Sequence, residues 1–150
     1  MYHAIVAARI RKLFKKLGEE DYSLVLDNLA PQCEHSFFGS HALGGTRRTR
    51  AAIQRWYERL PCVLPRLSFE VKRIIVTGWP WATTAVVEWH DFGHAADGTA
   101  IMNQGVHVVE LRWGKTTAIR IYCDTALLGR VLERNAACGI TEAVAQPIAD

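Results

Sequence analysis

The chain has 150 residues, 49% of them hydrophobic and 22% charged, with a formal net charge of +3. That composition suits one folded domain over residues 1–150 and excludes intrinsic disorder. The small basic excess is far from a nucleic-acid binder, and no apolar run nears the roughly 20 residues of a membrane-spanning helix, so neither nucleic acid nor membrane is an expected partner.

The opening "MYHAIVAARIRKLFKKL" does not have signal-peptide order, because its charges follow its apolar residues; a cytoplasmic location is expected. Val6, Ile10, Leu13, Phe14 and Leu17 share one face of a helix over about His3 to Leu17, which Gly18 ends. Arg9, Arg11, Lys12, Lys15 and Lys16 form its solvated face. Asp21 starts a shorter helix carrying Tyr22, Val25, Leu26 and Leu29, and Pro31 stops it. "CEHSFFG", Cys33 to Gly39, reads as a short strand, and "SHALGGTRRT" as a loop with a tight Gly44–Gly45 turn. Thr49 can cap a third helix, "RAAIQRWYERL", with Ala52, Ile53, Trp56, Tyr57 and Leu60 inward; Pro61 and Pro65 bracket its exit.

Past residue 66 the pattern turns to strands. "RLSFEVKRIIVTG" alternates at period two, Pro80 breaks the chain, and "WATTAVVEWHDFG" is rich in β-branched and aromatic residues. "AADGT" is a hairpin turn. "AIMNQGVHVVELRW" and "TTAIRIYC" follow, separated by a turn at Gly114–Lys115. Asp124 either lines a pocket as a carboxylate or caps a helix running to about Ala137; strand parity and the following Thr125–Leu127 favour the cap. Gly139 ends that helix, and the tail 139–150 is weakly determined. Segregated helices and strands make the fold class α+β.

Cys33, Cys62, Cys123 and Cys138 form no C-x-x-C pair, and the six histidines lack metal-ligand spacing, so no metal is expected. No phosphate loop, dinucleotide fingerprint or nucleophile elbow occurs, and no cofactor is expected. His41 and His94 fall in loops.

Parity sorts the sheet into two faces. Glu88, His90, Glu110, Arg112 and Arg120 gather on one, suited to solvent or to a second subunit. The other is apolar except for Asp91, Asn103 and His107. The Asp-Gly hairpin sets Asp91 near Asn103 and Trp89 near His107, with His35 available from the first strand. Such groups either form a hydrogen-bonded polar core cluster or line a pocket whose desolvation raises the aspartate pKa and makes it a base.

"LAPQCEHSFFG", "GGTRRTRAAIQRWYERL", "TTAVVEWHDF", "GVHVVELRWGK" and "IYCDTALLG" give the chain a pattern that resembles the nuclear transport factor 2-like superfamily, in its SnoaL-like branch. The resemblance covers about residues 3 to 135. It implies a cone-shaped α+β barrel, a curved antiparallel sheet wrapped around the N-terminal helices, often homodimeric, with a small-molecule pocket on the concave face. The superfamily includes ketosteroid isomerases, polyketide cyclases, scytalone dehydratase and limonene epoxide hydrolases, so fold does not fix function.

The epoxide hydrolases' Arg-x-Asp reads Trp89-His90-Asp91 here. Their first-strand Tyr-x-Asn reads His35-Ser36-Phe37, and their next carboxylate falls at about Ile121, which argues against epoxide opening. The cyclase and isomerase pattern implies Asp91 as base with His107 or His35 as partner. Asn103, Tyr22 or Tyr57 would meet a developing oxyanion, and Phe37, Trp56 and Trp89 would wall a ring system. The expected activity is cofactor-independent acid/base chemistry on a hydrophobic cyclic carbonyl compound. The alternatives are a non-catalytic ligand-binding module and a dimeric interaction module.

Overall fold

The N-terminal periodicity forms α1, Tyr2–Gly18, which buries Val6, Ile10, Phe14 and Leu17. This comes from a computed structural model that describes Met1–Asp150. Each such side chain taken fully out of water contributes roughly 1.5–3 kcal/mol. The second helix, α2, is only Ser23–Asp27. Asp21 stands just before it, accepting from the Ser23 amide at 3.1 Å and the Ser23 hydroxyl at 2.6 Å.

The first strand, β1, runs Leu29–Phe37 and starts earlier than Cys33. Pro31 lies inside it, within the register shift between Leu29 and Glu34, where a residue without an N–H costs no ladder bond. A three-residue strand, β2 (Gly45–Arg47), occupies the expected loop and sets His35 opposite Arg47.

Helix α3 spans Arg50–Val63, and its Thr49 cap accepts from the Ala52 amide at 3.2 Å. It continues past Pro61, because a proline there disturbs only the last turn. Four long strands follow: β3 (Ser68–Trp79), β4 (Ala82–His94), β5 (Ala100–Arg112) and β6 (Lys115–Cys123). They form the expected antiparallel meander, and the full sheet order is β2-β1-β6-β5-β4-β3. The structure adds that β1 lies parallel to β6, so the six-stranded sheet is mixed.

Helix α4, Thr125–Ala137, closes the apolar side. Asp124 is its cap, accepting from the Leu127 amide at 3.1 Å. Asp124→Ala should cost about 1 kcal/mol, visible as a lower urea midpoint at unchanged slope. Asn135, fully buried, accepts from the Ala96 amide at 2.8 Å and donates to Val63 O at 2.9 Å. It thereby fastens α4 to the β4–β5 hairpin and to the end of α3.

The tail makes a 3-10 turn, Thr141–Val144, that buries Ala143. Arg59 bonds Glu142 at 2.7 Å and Gln146 O at 2.7 Å. The Asp150 carboxylate accepts from the Arg48 and Thr49 amides. These contacts lay residues 141–150 across α3. No helix is long and apolar enough to cross a membrane.

Candidate functional site

Alternation along β4 turns Ala85, Val87, Trp89 and Asp91 inward, as parity requires. The register pairs Asp91 with Asn103 and Trp89 with Gly105. Gly105 is needed there: a Cβ would stand 2.6 Å from Trp89 Cζ2 and 2.3 Å from Tyr122 O. The indole therefore lies across β5 and donates from Nε1 to His107 Nδ1 at 2.7 Å.

These residues meet at a narrow cavity between the helices and the inner sheet face, with a lumen of about 50 Å³. Thirteen of its sixteen lining residues are hydrophobic, so Asp91, Asn103 and His107 are its polar contacts. Of the residues expected from sequence, Phe37, Trp56, Tyr57, Trp89, Asp91, Asn103 and His107 line it.

Two expected residues lie elsewhere. Tyr22 packs on Tyr57, with ring centroids 5.4 Å apart, and is not in the wall. His35 is fully buried behind the wall, against Trp56 at 4.5 Å and Tyr57 at 5.4 Å. His35 lies on the inner face, in register with Ile119, but those two α3 rings stand in front of it.

Asp91 is 8% exposed. Its Oδ1 accepts the Asn103 amide at 3.1 Å, and Oδ2 has no partner in the chain. Desolvation raises its pKa to about 6, against a smaller lowering by the Asn103 amide. A carboxylate poised near neutrality is suited to taking and returning protons.

His107 is different. Burial lowers its pKa to about 3, and Nδ1 is the acceptor for Trp89, so the neutral ring carries its proton on Nε2. It can donate a hydrogen bond but is not a cation near neutral pH. No hydrogen bond joins Asp91 to His107 or to His35.

Asn103 Oδ1 accepts from the Gln104 amide at 2.8 Å, and Nδ2 donates to Asp124 O at 3.2 Å, leaving one amide hydrogen free. Asp124 thus contributes to the site through its carbonyl, not its carboxylate. Burial pushes the Cys123 thiol up to about 12, which makes it an inert wall residue.

Sequence reading missed parts of the apolar wall: Leu43 and Leu64 lie in loops where no period marks them, and Leu67 and Phe69 were marked by their alternation as strand residues but not as wall. It also missed Arg47, fully buried on the short β2. Its guanidinium lies over Trp56, 5.5 Å from the ring centroid, and Nε and Nη1 have no partner. Both His35 nitrogens are likewise unpartnered. Burial and the Arg47 charge drive the His35 pKa well below its usual value. A polar layer without counter-ions therefore backs the Trp56–Tyr57 wall. No group of three or more His, Cys, Asp or Glu side chains is placed to hold a metal ion.

The family model of the SnoaL-like domain matches residues 10–119. The chain belongs to the SnoaL-like domain family. Among solved structures, this SnoaL-like domain is similar to TerC co-crystallized with polyporic acid, at 23% identity and TM-score 0.73, over 85% of this chain and 97% of that one. A Jannaschia sp. CCS1 protein described as a SnoaL-like polyketide cyclase gives 18% identity and TM-score 0.68, over 87% and 91%. PrhC from Penicillium brasilianum NBRC 6234 gives 12% and 0.78, over 96% of each chain. At such identities the likeness establishes the SnoaL-like fold alone. No curated protein sequence gives a significant match.

Proposed function

We propose that this SnoaL-like domain is a cofactor-independent acid/base enzyme acting on a hydrophobic cyclic carbonyl compound, as an isomerase, cyclase or dehydratase. One observation carries the reading: a single carboxylate, Asp91, sits in an apolar cavity wall with one oxygen unbonded and a pKa near 6. Oδ2 takes a proton from the carbon next to the carbonyl. The resulting oxyanion is met by the His107 Nε2–H or the free amide hydrogen of Asn103. Trp56, Trp89 and Phe37 supply flat apolar contact for rings.

His107 serves as a neutral hydrogen-bond donor in this scheme, and His35 supports the wall from behind. The domain works as a homodimer through the outer sheet face, where half-exposed Met102 and Tyr122 stand among Glu88, His90 and Arg120.

A second reading rests on the width of the cavity. Ligand pockets for ring compounds run to roughly 300–1,000 Å³, so binding requires the apolar wall to open. A domain that opens around a ligand without turning it over would be a binding module.

The test incubates the protein with a panel of cyclic ketones in D2O and follows deuterium entry beside the carbonyl by mass spectrometry. Wild type should exchange, with a rate that rises through about pH 6 as Asp91 ionises, and Asp91→Asn should not. Exchange by Asp91→Asn at the wild-type rate removes Asp91 from the chemistry. Tight binding, read by tryptophan quenching, with no exchange from any compound supports the binding module.

A further inference from the structure

Five tryptophans occur in the chain. Trp56 and Trp89 belong to the cavity wall, while Trp79, Trp81 and Trp113 are 67%, 51% and 69% exposed. These three stand together. Trp79 and Trp81 stack at 5.7 Å and 4°, and Trp113 lies 6.0 Å from Trp81. They come from two adjacent turns, β3–β4 and β5–β6, tied by the Trp113 amide donating to Pro80 O at 2.6 Å. Turn chemistry does not ask for them. Trp113 takes φ of 52°, in the left-handed region where asparagine or glycine is favoured and a bulky residue is strained.

The rim of this cluster is basic. Arg9 reaches Gly114 O at 3.3 Å, and Arg112 pairs with Lys115 across the same turn. His3 bonds Gly78 O at 2.8 Å, beside Trp79. No Asp or Glu occurs in residues 1–18, 71–87 or 111–117. Asp27, whose carbonyl accepts from Lys115 Nζ, directs its carboxylate to Arg50 at 3.5 Å.

We propose that this end of the sheet is a docking surface for an anionic lipid bilayer, with Trp79, Trp81 and Trp113 inserted at headgroup depth and Arg9, Arg112 and Lys115 facing the acidic headgroups. Indoles have an apolar body and a polar N–H and settle at the membrane–water boundary. Cations beside them are drawn to anionic lipid. Charge decides against an apolar partner protein, which gives no reason for an acid-free basic rim. The expectation of no membrane partner came from the lack of a spanning segment, which does not bear on contact with a bilayer surface.

The test is flotation with vesicles of phosphatidylcholine alone or with about 30% phosphatidylglycerol, with intrinsic fluorescence recorded in parallel. Because Trp56 and Trp89 are already buried, a blue shift on vesicle addition reports the outer three. Wild type should float with the anionic vesicles and shift blue, and high salt should release it. A Trp79→Ser, Trp81→Ser, Trp113→Ser triple variant should lose binding at least tenfold for each indole that otherwise inserts. Arg9→Gln, Arg112→Gln and Lys115→Gln should each weaken it about fivefold, on anionic vesicles only. Circular dichroism melts confirm folding; if the tryptophan variant fails to fold, the charge variants decide. Wild type that neither floats nor shifts overturns the proposal. So does wild type that sediments as a dimer without lipid and turns monomeric when the tryptophans are replaced, which would make a second copy the occupant.

Discussion

Asp91→Asn should slow proton transfer by on the order of 10²–10⁴-fold and, at pH 8, make the protein more stable. The two effects share one cause. The folded-state pKa is raised to about 6 from an ordinary 3.8, so the native fold holds a proton that the unfolded chain has released. Stability from this group is greatest below pH 4 and is lost as the pH rises through 6. A gap of about two pH units corresponds to about 3 kcal/mol.

Asparagine carries no charge at any pH, and its side-chain oxygen can still accept the Asn103 amide. Urea titrations should therefore place the variant above wild type at pH 8 and level with it near pH 3.5. A variant weaker than wild type at pH 8 would mean that the cavity does not strain the carboxylate. The basis for treating Asp91 as a tuned base would then fail.

Asp91 was legible in the sequence because period-two alternation fixes which side chains share a face, and an Asp-Gly turn fixes the register. Together they set Asp91 opposite Asn103 and brought Trp89 to His107. The same parity argument separated Asp124 from the inner face, and the Leu127 amide bond shows it as a cap.

The misses have different physics. A place on the first strand made His35 available to the site but did not say what lies in front of it; Trp56 and Tyr57, brought over by α3, cover it. Pro31 was read as a stop because proline breaks helices and regular strands, yet a register shift removes that constraint. Gly44–Gly45 signalled a turn and hid β2, too short to show a period, so the burial of Arg47 could not be seen. The tryptophan cluster was invisible because Trp113 lies thirty-two residues beyond Trp81 and meets it only when the two turns align. Asn135 gave no signal either: one polar residue on an amphipathic helix does not reveal that both its amide groups are used inside.

His107→Phe should flatten the acid limb of the stability curve. The folded pKa of His107 is lowered to about 3, and that of His35 is well below its ordinary 6.5. For an imidazole held neutral the sign is opposite to that of Asp91. Its contribution is complete above pH 6.5 and is lost as the pH falls, because the unfolded chain binds a proton that the folded chain refuses. Between pH 6 and 4, unfolding takes up a proton at His107 and releases one at Asp91, and His35 adds uptake in the same direction as His107. Each proton of net uptake corresponds to a loss of about 1.4 kcal/mol per pH unit.

His107→Phe leaves Trp89 Nε1 without its acceptor and lowers stability at every pH by roughly 1–3 kcal/mol, so the absolute value does not discriminate. The slope does. It should become shallower by about 1.4 kcal/mol per pH unit in His107→Phe and steeper by about as much in Asp91→Asn. His41, whose pKa burial also lowers, and the exposed ion pairs are common to all three proteins and cancel in the comparison. A His107→Phe slope equal to that of wild type would mean that His107 protonates in the native fold. It would then stand beside Asp91 as a cation, and the site would require an ion-pair mechanism in place of a neutral hydrogen-bond donor.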